Sequence, residues 1–249
     1  MPAAIPFYLD WGFWQGVAAF SALVISIAPT VIRHIKGSRL EVEAQDVITL
    51  THTVGNPNVS LLLILRNTGG EPIRVKAIHL DFKSKDDPEF RVSARSYFPL
   101  SEGKAAIFAP FKILPGNDWT HPVYFYKVFS RNEDQKYRLM ISNLKTDLNN
   151  KREINKSAHV QVVADPVNVD PFIKFFESKF KWNTGEYDVN VVVELDNKLK
   201  TITKSFHMTV YESDTSELVG YTNDYKTGLG LIYYDDDAQP GVLIQLDSR

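Results

Sequence analysis

The pattern of apolar and polar positions divides this chain into stretches of different period. Residues 11–32, WGFWQGVAAFSALVISIAPTVI, form a run of 22 without a formal charge. A helix of that length runs about 33 Å, enough to cross a hydrocarbon core of about 30 Å. After residue 39 the period falls to two, that of a strand. Val47 to Thr51 alternates, and VSLLLILR at 59–66 reads as a strand covered on both faces. Asn67-Thr68-Gly69-Gly70 supplies turn chemistry. Between 73 and 82 the phase slips, because Ile73 and Val75 share one face while Ile78, Leu80 and Phe82 share the other. A bulge near Lys76–Ala77 would return both sets to one core.

Short strands continue at regular spacing. Phe90, Val92 and Ala94 alternate with Arg91, Ser93 and Arg95, and 105–114 ends at the Pro115-Gly116-Asn117 turn. Residues 123–129, 136–144 and 158–164 complete a set of eight strands without a convincing helix. Such a series predicts a β-sandwich. The pattern resembles a bacterial immunoglobulin-like domain, without the Cys…Trp…Cys spacing of antibody-type domains. That resemblance implies an architecture and no function.

Two Asp-Pro pairs, at 165–166 and 170–171, mark a boundary. Beyond it, PFIKFFESKFKW at 171–182 reads as an amphipathic helix with Asp170 as cap and Pro171 at its first position. Its aromatic face suits either a membrane surface or the open end of a sandwich, and Phe180-Lys181-Trp182 also alternates as a strand would. Clean alternation returns at 187–195 and 202–210, then a polar loop at 212–216, then short strands at 218–221, 229–234 and 242–246. The expected fold class is therefore all-β, an immunoglobulin-like β-sandwich body behind one N-terminal transmembrane helix. Its parts are a tail (1–10), the span (11–32), a basic linker (33–39), a sandwich domain (40–165) and a smaller β domain (166–249).

Charge gives the span a direction. Only Asp10 and the terminal amine are charged before it, whereas Arg33, Lys36 and Arg39 follow it closely. The positive-inside rule places the N-terminus outside and the body in the cytoplasm. Phe7, Tyr8, Trp11 and Trp14 would settle at one headgroup level, and Arg33, Lys36 and Arg39 at the other. No Lys or Arg precedes the run, so it lacks the n-region of a cleaved signal peptide. Residues 33–165 carry 20 Lys/Arg against 15 Asp/Glu, while 213–249 carry two against seven. A basic body next to the anchor suits an anionic inner leaflet, though scatter over solvated faces accounts for it equally well. With the opposite topology, Asn58-Val59-Ser60 and Asn155-Lys156-Ser157 would be glycan acceptors. Gly12, Gly16 and Ala19 form a small-residue track on which a second membrane helix could pack.

Candidate chemistry is sparse. The chain has no cysteine, which excludes disulfides, thiolate zinc, iron–sulfur clusters and a thiol nucleophile. Phosphate-cradling, dinucleotide, nucleophile-elbow and HExxH motifs are missing. His79 and Asp81 share a strand face and could pair a base with its orienter, but a surface pair explains them more simply. Asp235, Asp236 and Asp237 form the densest charge cluster, which a hard cation or a solvated hairpin would explain. Lys and Arg are dispersed among acids, against a nucleic-acid partner. The expected function is that of a non-enzymatic, cofactor-free, single-pass interaction or scaffolding module at the inner face of the cell membrane. Its partners would be membrane lipid, a protein, and a second copy through the span. The alternatives are an accessory subunit packing through that helix, or a metal-dependent hydrolase.

Overall fold

The β1 (Leu40–Thr53) and β2 (Asn56–Asn67) strands turn on Val54 and Gly55, both with positive φ, at 50° and 80°. The computed structural model describes residues 11–85, 88–99, 103–154, 161–196, 201–235 and 237–248, except the side chains of 30 and 32–34. Ahead of the hairpin stands α1 (Trp11–Lys36). After it come β3 (Ile73–Ser84), β4 (Phe90–Tyr97), the short β5 (Ala106–Ile107) and β6 (Phe111–Ile113), and β7 (Asp118–Tyr126). Then follow α2 (Arg131–Ile154), α3 (Pro166–Lys179), β8 (Gly185–Leu195), β9 (Thr201–Val210), α4 (Glu212–Gly220), a 3-10 segment (Tyr221–Thr227), β10 (Val242–Gln245) and β11 (Asp247–Ser248).

The body is mostly β, and every pairing between the named strands is antiparallel. The sheet runs β10-β1-β2-β7-β4-β3-β8-β9-β11, with β5 on β4 and β6 on β3. Its two end strands are consecutive in the chain. Val242–Gln245 pairs with β1, Leu246 turns inward, and Asp247–Ser248 pairs with β9. The sheet thus rolls up until β9 approaches β1, and the last strand stitches the seam. This pairs residues 47–50 of β1 and 206–207 of β9, parts of two edges that otherwise invite strand addition. The core inside is shared by Leu61, Leu63, Phe82, Phe125, Trp182, Val189 and Val191. The two expected β domains contribute to this one sheet, because β8 pairs with β3 and β10 with β1 across the expected boundary.

The expected phase slip in β3 is present. Its pairing with β8 shifts register between Val75 and Ala77, and Ile73, Val75, Ile78, Leu80 and Phe82 are all fully buried. Other expectations are corrected. Residues 136–144 lie inside α2, where Met140, Leu144 and Leu148 recur every four residues and turn inward. Its start is a capping box, with the Ser130 N–H donating to Glu133 at 2.8 Å and the Glu133 N–H donating to the Ser130 hydroxyl at 3.4 Å. Residues 212–216 open α4 instead of forming a hairpin loop, because Asp214 accepts the Tyr211 N–H at 2.8 Å and acids occupy the first turn. Residues 218–221 and 229–234 continue as helix, 3-10 segment and turns. In 158–164, the described part (161–164) is irregular.

The amphipathic helix begins earlier than 171. α3 starts at Pro166 behind Asp165 and carries Pro171 within it. Phe172, Phe175 and Phe176 are buried against Met140, Leu144 and Tyr225 in a second, smaller core. The hairpin tip enters that core, with Val54 1% exposed. Trp182 lies instead in the main core, donating its indole N–H to the Thr51 carbonyl at 2.8 Å.

Candidate functional site

Gly37, Ser38 and Arg39, part of the expected basic linker, are fastened to the turn after β2. Thr68 and Gly69 donate to the Arg39 carbonyl at 3.0 and 3.2 Å, and Gly70 donates to that of Gly37 at 2.6 Å. A Cβ on Gly69 would strike the Gly37 carbonyl oxygen and come within 2.5 Å of the Arg39 nitrogen. Ser38 adds a hydrogen bond to Glu71 at 3.0 Å. The end of α1 is thereby joined to the sheet through backbone bonds.

α1 has no buried side chain among its described residues. Residues 11–29 have a mean hydropathy of 1.5 and none is buried. Trp11 and Trp14 stand out from its first turns, and Lys36 is exposed at its end. Gly12, Gly16 and Ala19 lie on one helical face, and a Cβ on Gly16 would meet open space. Arg39 reaches Glu41 in a surface pair at 3.6 Å. The Arg33 side chain lies outside the described residues, as do Phe7, Tyr8, Asp10, Asn155, Ser157 and Asp236.

The outer face of the rolled sheet is ordered into polar rows. Thr49, Ser60, Tyr124 and Ser96 are register partners across β1, β2, β7 and β4. A second row holds Thr51, Asn58, Tyr126, Ser93 and His79. Between them lie Leu50, Val59, Phe125 and Ala94, pointing inward, as a period of two requires. Gly230, Tyr234, Asp235, Gln239 and Pro240 wall these rows and enclose a polar cleft of about 610 Å³. The Asp235 carboxylate accepts the N–H groups of Asp237 and Ala238 at 3.0 and 3.3 Å, a local turn contact. Among the described residues, three or more His, Cys, Asp or Glu side chains nowhere gather as a metal site.

His52 also lines the cleft. It accepts the Gly55 N–H at Nδ1 (3.2 Å), which leaves the proton on Nε2 to bond the Leu218 carbonyl at 2.8 Å. Burial holds its pKa below the usual value, against the opposing pull of that carbonyl.

His79 and Asp81 do not form the expected base–orienter pair. Asp81 is held by both Nε and a terminal nitrogen of Arg91, at 2.5 and 2.7 Å. His79 turns to the Ser93 hydroxyl at 2.9 Å and to Glu194 at 3.4 Å. Burial lowers its pKa, with Glu194 opposing. Ser93 pairs with β3 on one side and β7 on the other, so its backbone belongs to the ladder and is not shaped as an oxyanion hole.

Reasoning from sequence alone missed a second groove, of about 580 Å³, between β4, the exit of β7 and the end of α3. The alternation of Arg91, Ser93 and Arg95 was its visible trace. Lys127, Lys179 and Lys181 join them only in three dimensions.

No family model and no curated protein matches this chain. Among solved structures, a FixG-related protein from Vibrio parahaemolyticus is similar at 12% identity, with 70% of this chain and 96% of that one covered and a TM-score of 0.31. A protein from Archaeoglobus fulgidus matches at 8% identity over 68% of this chain and 90% of that one, with a TM-score of 0.27. Spo0M, a sporulation control protein from Bacillus subtilis, matches at 12% identity over 76% and 56%, with a TM-score of 0.26. Likenesses this loose carry no argument about function.

Proposed function

We propose that this chain is a single-pass membrane-anchored interaction module. The anchor would be α1, and the rolled β body would hold a partner at the inner face of the membrane. One observation carries this reading: an uncharged apolar helix with no buried residue in 11–29 leads directly into a linker bonded to the sheet. An apolar surface of that size has no cover among the described residues, and lipid is the cover its length and composition fit. The orientation rests on Lys36 and Arg39 after the run. Antiparallel pairing throughout is what the body shares with an immunoglobulin-like β-sandwich, while its strands form one rolled sheet.

The body would bind through its outer face, since β10 and β11 already pair with part of the edges of β1 and β9. The polar cleft under Tyr234 and Gln239 offers hydroxyls and amides on a rigid floor, which suits an extended polar ligand such as a peptide segment. A second reading, an accessory subunit packed through its span, is favoured by the uncovered track of Gly12, Gly16 and Ala19.

Alkaline carbonate extraction followed by protease treatment of spheroplasts tests the proposal. The full-length chain is expected in the membrane pellet, with its body protected until lysis. Recovery in the soluble fraction would overturn the anchor, and digestion of the body from outside would overturn the orientation.

A further inference from the structure

We propose that the groove between β4, the β7 exit and the end of α3 binds the phosphate group of a soluble ligand. Phosphate binding does not depend on α1 entering a membrane, whereas assigning the ligand to a soluble source rests on that reading. Arg91 and Ser93 share one outward face of β4, and Arg95, the extra residue where the pairing with β7 shifts between Ala94 and Ser96, is exposed beside them. Lys127 stands at the exit of β7, and Lys179 and Lys181 at the end of α3. Five cations therefore line one concavity.

Two of the five are spent. Arg91 is bidentate on Asp81, and Lys179 is paired with Glu133, which also caps α2. Arg95, Lys127 and Lys181 have no carboxylate within 4.0 Å among the described residues. Glu89 is the remaining acid in the lining. Five cations against Asp81, Glu133 and Glu89 leave a surplus of two positive charges, the charge a phosphomonoester carries in reverse.

The backbone under these cations is fixed. Asn56, itself buried, donates to the Lys127 carbonyl at 2.6 Å. Tyr187 donates to the Lys181 carbonyl at 3.1 Å, and Thr215 holds the next carbonyl, that of Trp182, at 3.0 Å. Lys181 is half-buried. An arriving anion is favoured by attraction to cations that have no carboxylate partner among the described residues. The Arg95 guanidinium supplies the planar fork that recognises phosphate oxygens. A volume of about 580 Å³ exceeds a bare phosphate and leaves room for the group bearing it, against Phe90 and Phe129.

Position argues for a soluble source. β1 begins at Leu40 beside the linker and ends at Thr53 beside the groove. The facing stretch of β2, Asn67 to Asn56, takes eleven strand steps, because β1 bulges between Ala44 and Ile48, and spans roughly 36 Å, which keeps the groove away from headgroups around α1.

The test is calorimetric titration of the full-length chain in dodecyl maltoside micelles, at low salt, with inorganic phosphate and with phenyl phosphate. Saturable binding is expected for both, tighter for phenyl phosphate and weakened by added salt. The variant Arg95→Gln/Lys127→Gln/Lys181→Gln is expected to lose about tenfold or more in affinity, and Lys112→Gln on β6 less than about twofold. Should the triple variant fail to fold, Arg95→Gln at its exposed position is expected to cost about threefold or more. Phosphatidic acid doped into the micelles is expected not to compete; competition would assign the phosphate to a lipid and overturn the soluble source. No saturable binding, or affinity unchanged in the variants, would overturn the site.

Discussion

Gly55 sits against the Phe176 backbone so closely that a Cβ would fall within 2.9 Å of the Phe176 Cα and closer still to its carbonyl oxygen. The β1–β2 hairpin tip and α3 therefore meet backbone to backbone. This contact couples the main core to the smaller helical one, with Val54 buried beside it. The positive φ of 80° excludes a side chain independently. Gly55→Ala is expected to cost at least about 2 kcal/mol and to lower Tm by several degrees in a thermal melt. An unchanged Tm would mean that the hairpin and α3 do not touch as described.

Glu133 joins α2 to α3 and titrates abnormally. The Lys179 ammonium, then the N–H and hydroxyl of Ser130, bring its pKa down to about 2 from 4.5. A depressed folded-state value means that the contribution is complete above pH 4.5 and is lost as pH falls toward 2. Glu133→Gln keeps a capping-box acceptor and removes the charge. Its Tm is expected to fall less than that of the unmodified chain between pH 5 and pH 3 (a window of about two units). Parallel curves would show that the ion pair is inert.

His52 works in the other pH range. Burial lowers its folded-state value below 6.5, so the unfolded chain binds its proton first and stability declines as pH drops below about 6.5. His79, lowered chiefly by burial too, adds to the same slope. His52→Gln is expected to be less stable at pH 8 by about 1–3 kcal/mol, through loss of the bonds to Gly55 and Leu218, yet to show a shallower fall between pH 6.5 and 5. Denaturant melts at the three pH values measure both effects.

The seam at Leu246 makes the final strand indispensable. Removing residues 242–248 uncovers the edges of β1 and β9 together and exposes a core lined by Val242, Ile244 and Leu246. The truncated chain is expected to aggregate or to pair edge to edge, visible as a higher-mass species in size-exclusion chromatography in detergent. A monodisperse truncated product with native Tm would show that the ring does not need its stitch.

For the anchor, the decisive pair is Gly12→Ile with Gly16→Ile. If α1 is only a tether, crosslinked partner recovery from membranes is expected to be unchanged. Loss of the partner with the chain still in the membrane fraction would favour packing through the span.

Much of the β body was legible because a period of two survives in any strand with one face buried. Even the slip at Lys76–Ala77 could be read, since a bulge leaves its mark on the phase. α2 was misread for a physical reason. Tyr137, Leu139 and Ile141 alternate over a short window, and only the longer rhythm of Met140, Leu144 and Leu148 betrays a helix. Ser130-x-x-Glu133 was the available signal. The basic groove could not have been found in order, because Arg95, Lys127 and Lys181 are brought together by sheet register and by the return of α3.

By itself the order of residues determined the apolar helix, the strand-forming body and the absence of thiol chemistry, because these depend on local composition and period. Tertiary structure alone decided that the sheet is one roll whose end strands meet at Leu246, that Asp81 belongs to Arg91 while His79 faces Ser93 and Glu194, and that uncompensated cations share a groove. Each of those is a matter of which distant segments meet, and contact between segments leaves no period in the chain.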